Sequence, residues 1–349
     1  MYNKGRNDRR LYVASFHDDI PNLAQGDLIP KRVVYTAPAH LTPRVVVWYS
    51  RPAFMLTFSL LLFGVSITAA GYSVFQGQSS LAATLAATEA VPPVGTVTPS
   101  ATDFTYMAKV DGVDAAHYLV ADLETGAVIA ASDLNAQVPI ASLTKLMTAV
   151  VAAKYIDLDS SVRVTQEKYV TTLVPRLEGT YKVSVQNLLQ LLLSESSNEA
   201  AEVIASVLGR DIFIARMNEV GVAMGLSNTI FTDPSGLDDG NISSVSDMMR
   251  LLQYIHQNKS FILDLTADNE VSNTYTTGQF GDLMNFNYID DVDFVAGKVG
   301  ETLAAGQTSV SLHRVSVHDT DRLITIVLLG TQKRSEDTKL LISYVKDTF

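Results

Sequence analysis

No charged residue falls between Arg51 and Glu89, and inside that stretch residues 52–75 read PAFMLTFSLLLFGVSITAAGYSVF. As a helix rising 1.5 Å per residue this segment reaches roughly 36 Å, enough to cross a hydrocarbon core with some tilt. The feature divides the chain before any other element is considered. A cleaved leader is the competing explanation, because small residues at Ala69 and Ala70 imitate a cleavage site. A preceding region of 51 residues and an apolar run longer than the roughly 7–15 residues of a leader core weigh against it.

Lys31, Arg32, Arg44 and Arg51 flank one end of the segment, whereas the first charges beyond the other end are Glu89 and Asp103. The bias of basic residues toward the cytoplasmic side places residues 1–51 inside and the remainder outside. The expected organisation is a flexible cytoplasmic tail (1–51), a transmembrane signal-anchor helix (52–75), an extracytoplasmic Ser/Thr/Ala/Pro-rich stalk (76–104) and one folded unit (105–349). Residues 1–51 carry eight basic and four acidic side chains, so the net charge of −11 leaves −15 for residues 52–349. An acidic body argues against a nucleic-acid partner, whose phosphates need neutralising. The chain has no cysteine, which removes disulfide scaffolds, thiolate metal sites and cysteine nucleophiles together. The six histidines show no ligand spacing, and no metal or cofactor is expected.

Within the folded unit, HYLVADLETGAVIAAS (117–132) holds two apolar runs separated by Glu124-Thr125-Gly126, which reads as a β-hairpin. Pro139-Ile140-Ala141-Ser142 then opens the apolar helical stretch LTKLMTAVVAAKYI. Ser184 is placed to cap a helix carrying VQNLLQLLLS, and further helices are predicted at 211–224 and 245–257. Residues 293–300, 307–317 and 322–330 change to strand character, and SEDTKLLISYVKDTF closes as a helix. Strands early, helices in the middle, strands late and a last helix describe an α+β unit. A single sheet then requires its first and last segments to meet.

Ser142-Leu143-Thr144-Lys145 is an S-x-x-K pattern at a helix start. Residues three apart share a helix face, so the Lys145 amine can approach the Ser142 hydroxyl. A serine attacks only when a neighbouring base takes its proton, and a lysine is such a base only when its pKa is depressed. A helix N-terminus, desolvation or a second cation would each do this. The pattern alone is weak: Ser343-Tyr344-Val345-Lys346 fits it equally and reads as surface composition. Its company changes the odds. Ser196-Ser197-Asn198 fits S-x-N at a helix junction, and Lys298-Val299-Gly300 on a late strand differs from K-T-G by one residue.

PIASLTKLMTAVVA (139–152), LLLSESSNEAAEVIA (191–205), MNEVGVAMGLSNTIFTDPSGLDD (217–239) and GKVGETLAAG (297–306) resemble the serine D-Ala-D-Ala carboxypeptidases, the low-molecular-mass penicillin-binding proteins. The resemblance covers about residue 105 to 349. It implies a β-lactamase/DD-peptidase-like antiparallel sheet packed between helices, with β-lactams as covalent inhibitors and peptidoglycan stem peptides as substrate. It makes Ser142 the acylated nucleophile, Lys145 its general base, Ser196 a proton relay to the leaving D-alanine, and Asn198 a hydrogen-bonding partner of peptide and Lys145. Lys298, Val299, Gly300 and Glu301 become substrate-binding: Lys298 supplies charge for the substrate carboxylate and helps keep Lys145 neutral. The N–H groups of Ser142 and Glu301 form the oxyanion hole.

The sequence departs from the family pattern at Val299, where a threonine hydroxyl would help bind the substrate carboxylate. Such a bond is worth roughly 1.5–3 kcal/mol, so its loss costs about ten- to a hundredfold in acylation. Glu301, directly after the motif, would repel that carboxylate if it faced the cleft. The leading expectation is a membrane-anchored serine DD-peptidase acting by an acyl-enzyme. The alternative is a catalytically impaired cell-wall-binding or sensory protein on the same fold. A serine β-lactamase is less favoured, because Glu270, the sole glutamate of residues 200–297 beyond the early helices, lacks the context of a deacylating residue. The DPSGLDD run (233–239) reads as a structured turn, since it lacks the register of a calcium loop.

Overall fold

A computed structural model describes residues 109–168, 170–177, 182–267, 280, 283–287, 289, 293–317 and 320–348. The predicted tail, membrane segment and stalk (1–51, 52–75 and 76–104) and Glu270 lie outside the described residues. Among the described residues no helix is long and apolar enough to cross a membrane.

The strands are β1 (His117–Asp122), β2 (Val128–Ser132), β3 (Val138–Pro139), β4 (Ser161–Arg163), β5 (Lys182–Ser184), β6 (Ile242–Ser243), β7 (Phe294–Thr302), β8 (Gly306–Val317) and β9 (Thr320–Thr331). The helices are α1 (Thr144–Tyr155), α2 (Val185–Ser194), α3 (Asn198–Ala205), α4 (Arg210–Ala223), α5 (Val245–Asn258), α6 (Phe261–Asp264) and α7 (Arg334–Thr348). Five strands form one antiparallel sheet in the order β2-β1-β9-β8-β7. The first hairpin therefore pairs with the last strand, and early and late segments share one sheet as predicted. Two short ladders, β3 with β6 and β4 with β5, stand apart from it.

Side chains alternate across a strand, so each strand serves two cores. Leu119, Ala121, Val310, Leu312, Val327 and Leu329 face the helical bundle built on α1–α5. Tyr118, Val120, Ile324, Ile326 and Leu328 face Leu341, Ile342 and Val345 of α7. The sheet is thus sandwiched between helices. Helix α1 is buried without interruption from Thr144 to Ala152, which explains why its sequence is apolar on every side. Ser184 caps α2 by accepting from the Asn187 N–H, as its position predicted. In α7 the second S-x-x-K copy stays at the surface: Ser343 donates to Asp347, and Lys346 pairs with Asp293.

Candidate active site

The nucleophile turn is not the first turn of α1. Ala141–Leu143 form a 3-10 turn, and α1 begins at Thr144. Ala141 has φ +48° and Ser196 has φ +57°, conformations that cost a side chain roughly 1–2 kcal/mol each. The surroundings hold both. Thr144 Oγ1 donates to the Ala141 carbonyl at 2.8 Å, and Thr308 Oγ1 from β8 donates to that of Ile140 at 3.2 Å.

Glycines let the neighbouring chain close on this turn. Gly236, at φ +87°, lies so near Ala141 that a Cβ would stand 1.9 Å from the Ala141 carbonyl oxygen. On the other side a Cβ at Gly300 would stand 2.7 Å from Ser142 N and 3.0 Å from Ala141 Cβ. The Ser142 turn is thereby seated between the 233–239 turn and β7. The 233–239 turn wraps the buried Asp233 carboxylate, which accepts from the N–H groups of Ser235, Gly236 and Asp238 at 2.5, 2.6 and 2.6 Å.

Five of the sequence-predicted side chains meet here. Lys145 Nζ lies 2.8 Å from Ser142 Oγ, 2.7 Å from Asn198 Oδ1 and 2.6 Å from the Ser235 carbonyl oxygen. Lys298 Nζ lies 3.0 Å from Ser196 Oγ, 2.9 Å from Asn287 Oδ1 and 2.8 Å from the Val299 carbonyl oxygen. Both lysines are buried, whereas Ser142, Ser196 and Asn198 are half-buried. Asn198 Nδ2 donates to the Thr171 carbonyl at 2.7 Å, which fixes its Oδ1 toward Lys145.

The two amines are coordinated alike. Each meets two carbonyl oxygens, which only accept, and one serine hydroxyl, which accepts or donates. An ammonium gives its three N–H groups to all three. A neutral amine gives two to the carbonyls and turns its lone pair to the hydroxyl. Burial pulls Lys145 from its ordinary 10.5 down to about 7, against the opposing field of Asp233. Lys298 is also held well below its ordinary value, first by burial and then by the charges of Lys145 and Arg334. Desolvation, more than a neighbouring cation, thus prepares Lys145.

Val299 and Glu301 occupy the opposite side of the β7 pleat from Lys298. Val299 is buried across from Ser309, and Glu301 is half-buried across from Gln307. Gly300 lends its carbonyl to the buried Arg334, whose Nη1 donates to the Gly300 and Thr308 oxygens at 3.3 Å each. Sequence reasoning did not find Ser235, Gly236, Asn287, Thr308 or Arg334. DPSGLDD was read as a turn, but nothing in its pattern showed where it docks. Asn287 sits in a stretch without periodicity. Among the described residues no cluster of acidic or histidine side chains could hold a metal ion.

An antiparallel sheet between helices, with these two lysine–serine pairs at its edge strand, is the α+β fold of penicillin-binding proteins. The family profile of D-alanyl-D-alanine carboxypeptidase matches residues 104–332, and the chain belongs to that family. A D-alanyl-D-alanine endopeptidase of Escherichia coli (strain K12) is 32% identical over 206 residues, 55% of this chain and 64% of the relative. The D-alanyl-D-alanine carboxypeptidase DacB2 of Mycobacterium tuberculosis is 29% identical over 228 residues, 63% of this chain and 77% of the relative. A Pseudomonas aeruginosa endopeptidase is 34% identical, but only 45% of its length is matched; the chain thus spans from 45% to 77% of the length of these relatives. Among solved structures, the D-alanyl-D-alanine carboxypeptidase of M. tuberculosis H37Rv superposes with a TM-score of 0.61 at 24% identity, covering 69% of this chain and 94% of that one. Penicillin-binding protein D2 of Listeria monocytogenes with ampicillin bound gives 0.59 at 23%, covering 68% and 99%.

Proposed function

We propose that this chain is a serine-type D-Ala-D-Ala carboxypeptidase acting on peptidoglycan stem peptides through an acyl-enzyme at Ser142. The reading rests above all on the Lys145 amine, buried and held 2.8 Å from Ser142 Oγ with its other two directions taken by carbonyl oxygens. Deprotonated, Lys145 has its lone pair aimed at the Ser142 hydroxyl.

Ser142 Oγ attacks the carbonyl carbon of the penultimate D-alanine while its proton passes to Lys145 Nζ. Negative charge develops on the carbonyl oxygen. The N–H groups of Ser142 and Glu301 receive it, a role supported by the close seating of Gly300 against Ser142 N. The C–N bond then breaks, and the leaving nitrogen takes a proton relayed by Ser196, which lies on Lys298. Water completes the cycle by hydrolysing the ester. Asn198 orients Lys145 and the peptide, and Lys298 supplies positive potential for the terminal carboxylate. β-Lactams acylate the same oxygen.

Residues 52–75 anchor the chain, with residues 1–51 cytoplasmic and the catalytic unit outside, a reading supported by the uncharged segment and its basic flank. Val299 favours reduced turnover, since no threonine hydroxyl is available beside the carboxylate. The test is a fluorescent penicillin with wild type and Ser142→Ala, together with D-alanine release from a D-Ala-D-Ala peptide. Covalent label and release in wild type, both lost in the variant, are expected. Absence of Ser142-dependent labelling overturns the enzyme reading and leaves a cell-wall-binding protein.

A further inference from the structure

Asn287 is fully buried, lies outside all three motifs, and joins the two elements that carry Ser196 and Lys298. Its Oδ1 accepts from Lys298 Nζ at 2.9 Å and from Val299 N at 3.1 Å. Its Nδ2 donates to the carbonyls of Leu193 and Ser194 at the end of α2, at 2.6 and 3.4 Å, and to Asn285 Oδ1 at 2.8 Å. The donors and acceptors around the carboxamide admit one orientation only. Main-chain carbonyls on one side demand the amide nitrogen, and the amine and N–H on the other demand the oxygen.

We propose that Asn287 is a positioning residue for acyl transfer, clamping β7 to the α2–α3 junction and leaving the Lys298 amine a single free bonding direction, toward Ser196 Oγ. This rests on the acyl-enzyme reading above. Lys298 is the last of several rotatable bonds on a flexible stem, and without the Oδ1 acceptor its amine would lose one of three fixed contacts. Ser196, in a left-handed backbone conformation, lies two residues beyond Ser194, whose carbonyl Asn287 holds. One side chain therefore sets both ends of the 3.0 Å Lys298–Ser196 contact. A neutral acceptor also adds no charge beside the amine. Among the described residues the charges that act on Lys298 are those of Lys145 and Arg334, and a carboxylate at position 287 would set an opposing charge within bonding distance of the amine.

The experiment measures acylation by a fluorescent penicillin and D-alanine release, both per labelable molecule, from pH 5 to 10. Wild type and Ser142→Ala serve as references. Asn287→Ala should lower the acylation rate per labelable molecule and kcat by about a hundredfold, with KM changed less. Asn287→Asp keeps an acceptor for Lys298 and places a negative charge beside it, while giving up the donor to the Leu193 and Ser194 carbonyls. It should recover part of the rate and move the rising limb of the pH profile upward by a unit or more. A purely structural asparagine would lower thermal stability and the labelable fraction but leave the rate per labelable molecule and the pH profile unmoved; that result overturns the proposal. If Asn287→Ala fails to fold, Asn287→Asp alone decides by its profile. Failure of wild type to label would instead count against the acyl-enzyme reading.

Discussion

Gly236 and Ala141 approach so closely that the carbonyl of one occupies the space a side chain on the other would need. The contact spans about a hundred residues of chain and seats the nucleophile turn from below. Gly236→Ala must break it, because the neighbour is backbone and φ is +87°. The variant should lose at least about 2 kcal/mol of stability and about a hundredfold in acylation by penicillin. Denaturant titration and labelling kinetics measure the two effects; an unaffected acylation rate would show that the turn does not depend on this seat.

Acylation should rise with pH through about 7. Lys145 attacks as a base only when neutral, and burial brings its pKa from 10.5 to about 7. At pH 5 about one hundredth of the base is neutral, so the rate should be about a hundredfold below its plateau. The sign for stability follows. An unfolded lysine stays protonated up to about 10.4, so between pH 7 and that value the unfolded chain binds more protons, and stability rises with pH. Lys145→Met should flatten that rise in melting experiments.

Val299→Thr should raise turnover on a D-Ala-D-Ala peptide by about ten- to a hundredfold. The substitution preserves shape, but Val299 lies on the other side of the β7 pleat from Lys298 and across from the buried Ser309, so a bond to Ser309 Oγ in place of the substrate carboxylate is the competing outcome and would leave turnover unchanged. Unchanged kcat/KM would sever the low-turnover expectation from this position.

Arg176 and Glu195 form a two-point ion pair at 2.5 and 2.6 Å, with Glu195 buried and also accepting from Met284 N at 3.1 Å. Glu195 directly precedes Ser196. Arg176→Met leaves that carboxylate buried with its counter-charge removed, and should cost about 3–5 kcal/mol. Adding Glu195→Gln to it should recover part of the loss, a non-additivity that a double-mutant cycle in urea reads directly.

Much of this architecture is written locally. The hairpin at 117–132 follows from two apolar runs around Gly126, whose φ is +76°. The three late strands follow from their composition, and Ser184 announces a helix start that it does cap; the cap that Ser197 gives α3 is seen only in the structure. The motif residues are legible because chemistry restricts residue type: a serine needs a neighbouring base to attack, and a lysine three residues on can supply one. What stayed hidden depends on distance along the chain. Ser235 contributes only a carbonyl, which every residue has, so no letter marks it. Asn287 resembles any loop asparagine until the Lys298 amine and the Leu193 carbonyl are placed on either side. The 3-10 geometry at Ser142 is likewise imposed by Gly236 and Gly300 from outside the turn, while the local signal pointed to a helix start. The direction of Glu301 needed the pleat of β7, now fixed by its pairing with Gln307.

The central position of β9 carries a consequence for biosynthesis. This strand, residues 320–331, lies between β1 and β8 and hydrogen-bonds to both. While the ribosome is still translating the middle helices, β1 and β2 have no neighbour on their inner edge, and β7 and β8 later wait as a separate hairpin. Assembly of the sheet is therefore withheld until β9 has left the exit tunnel, and a stop that falls after β8 ends at Val317 and before β9 begins at Thr320 leaves the two hairpins without the strand that joins them.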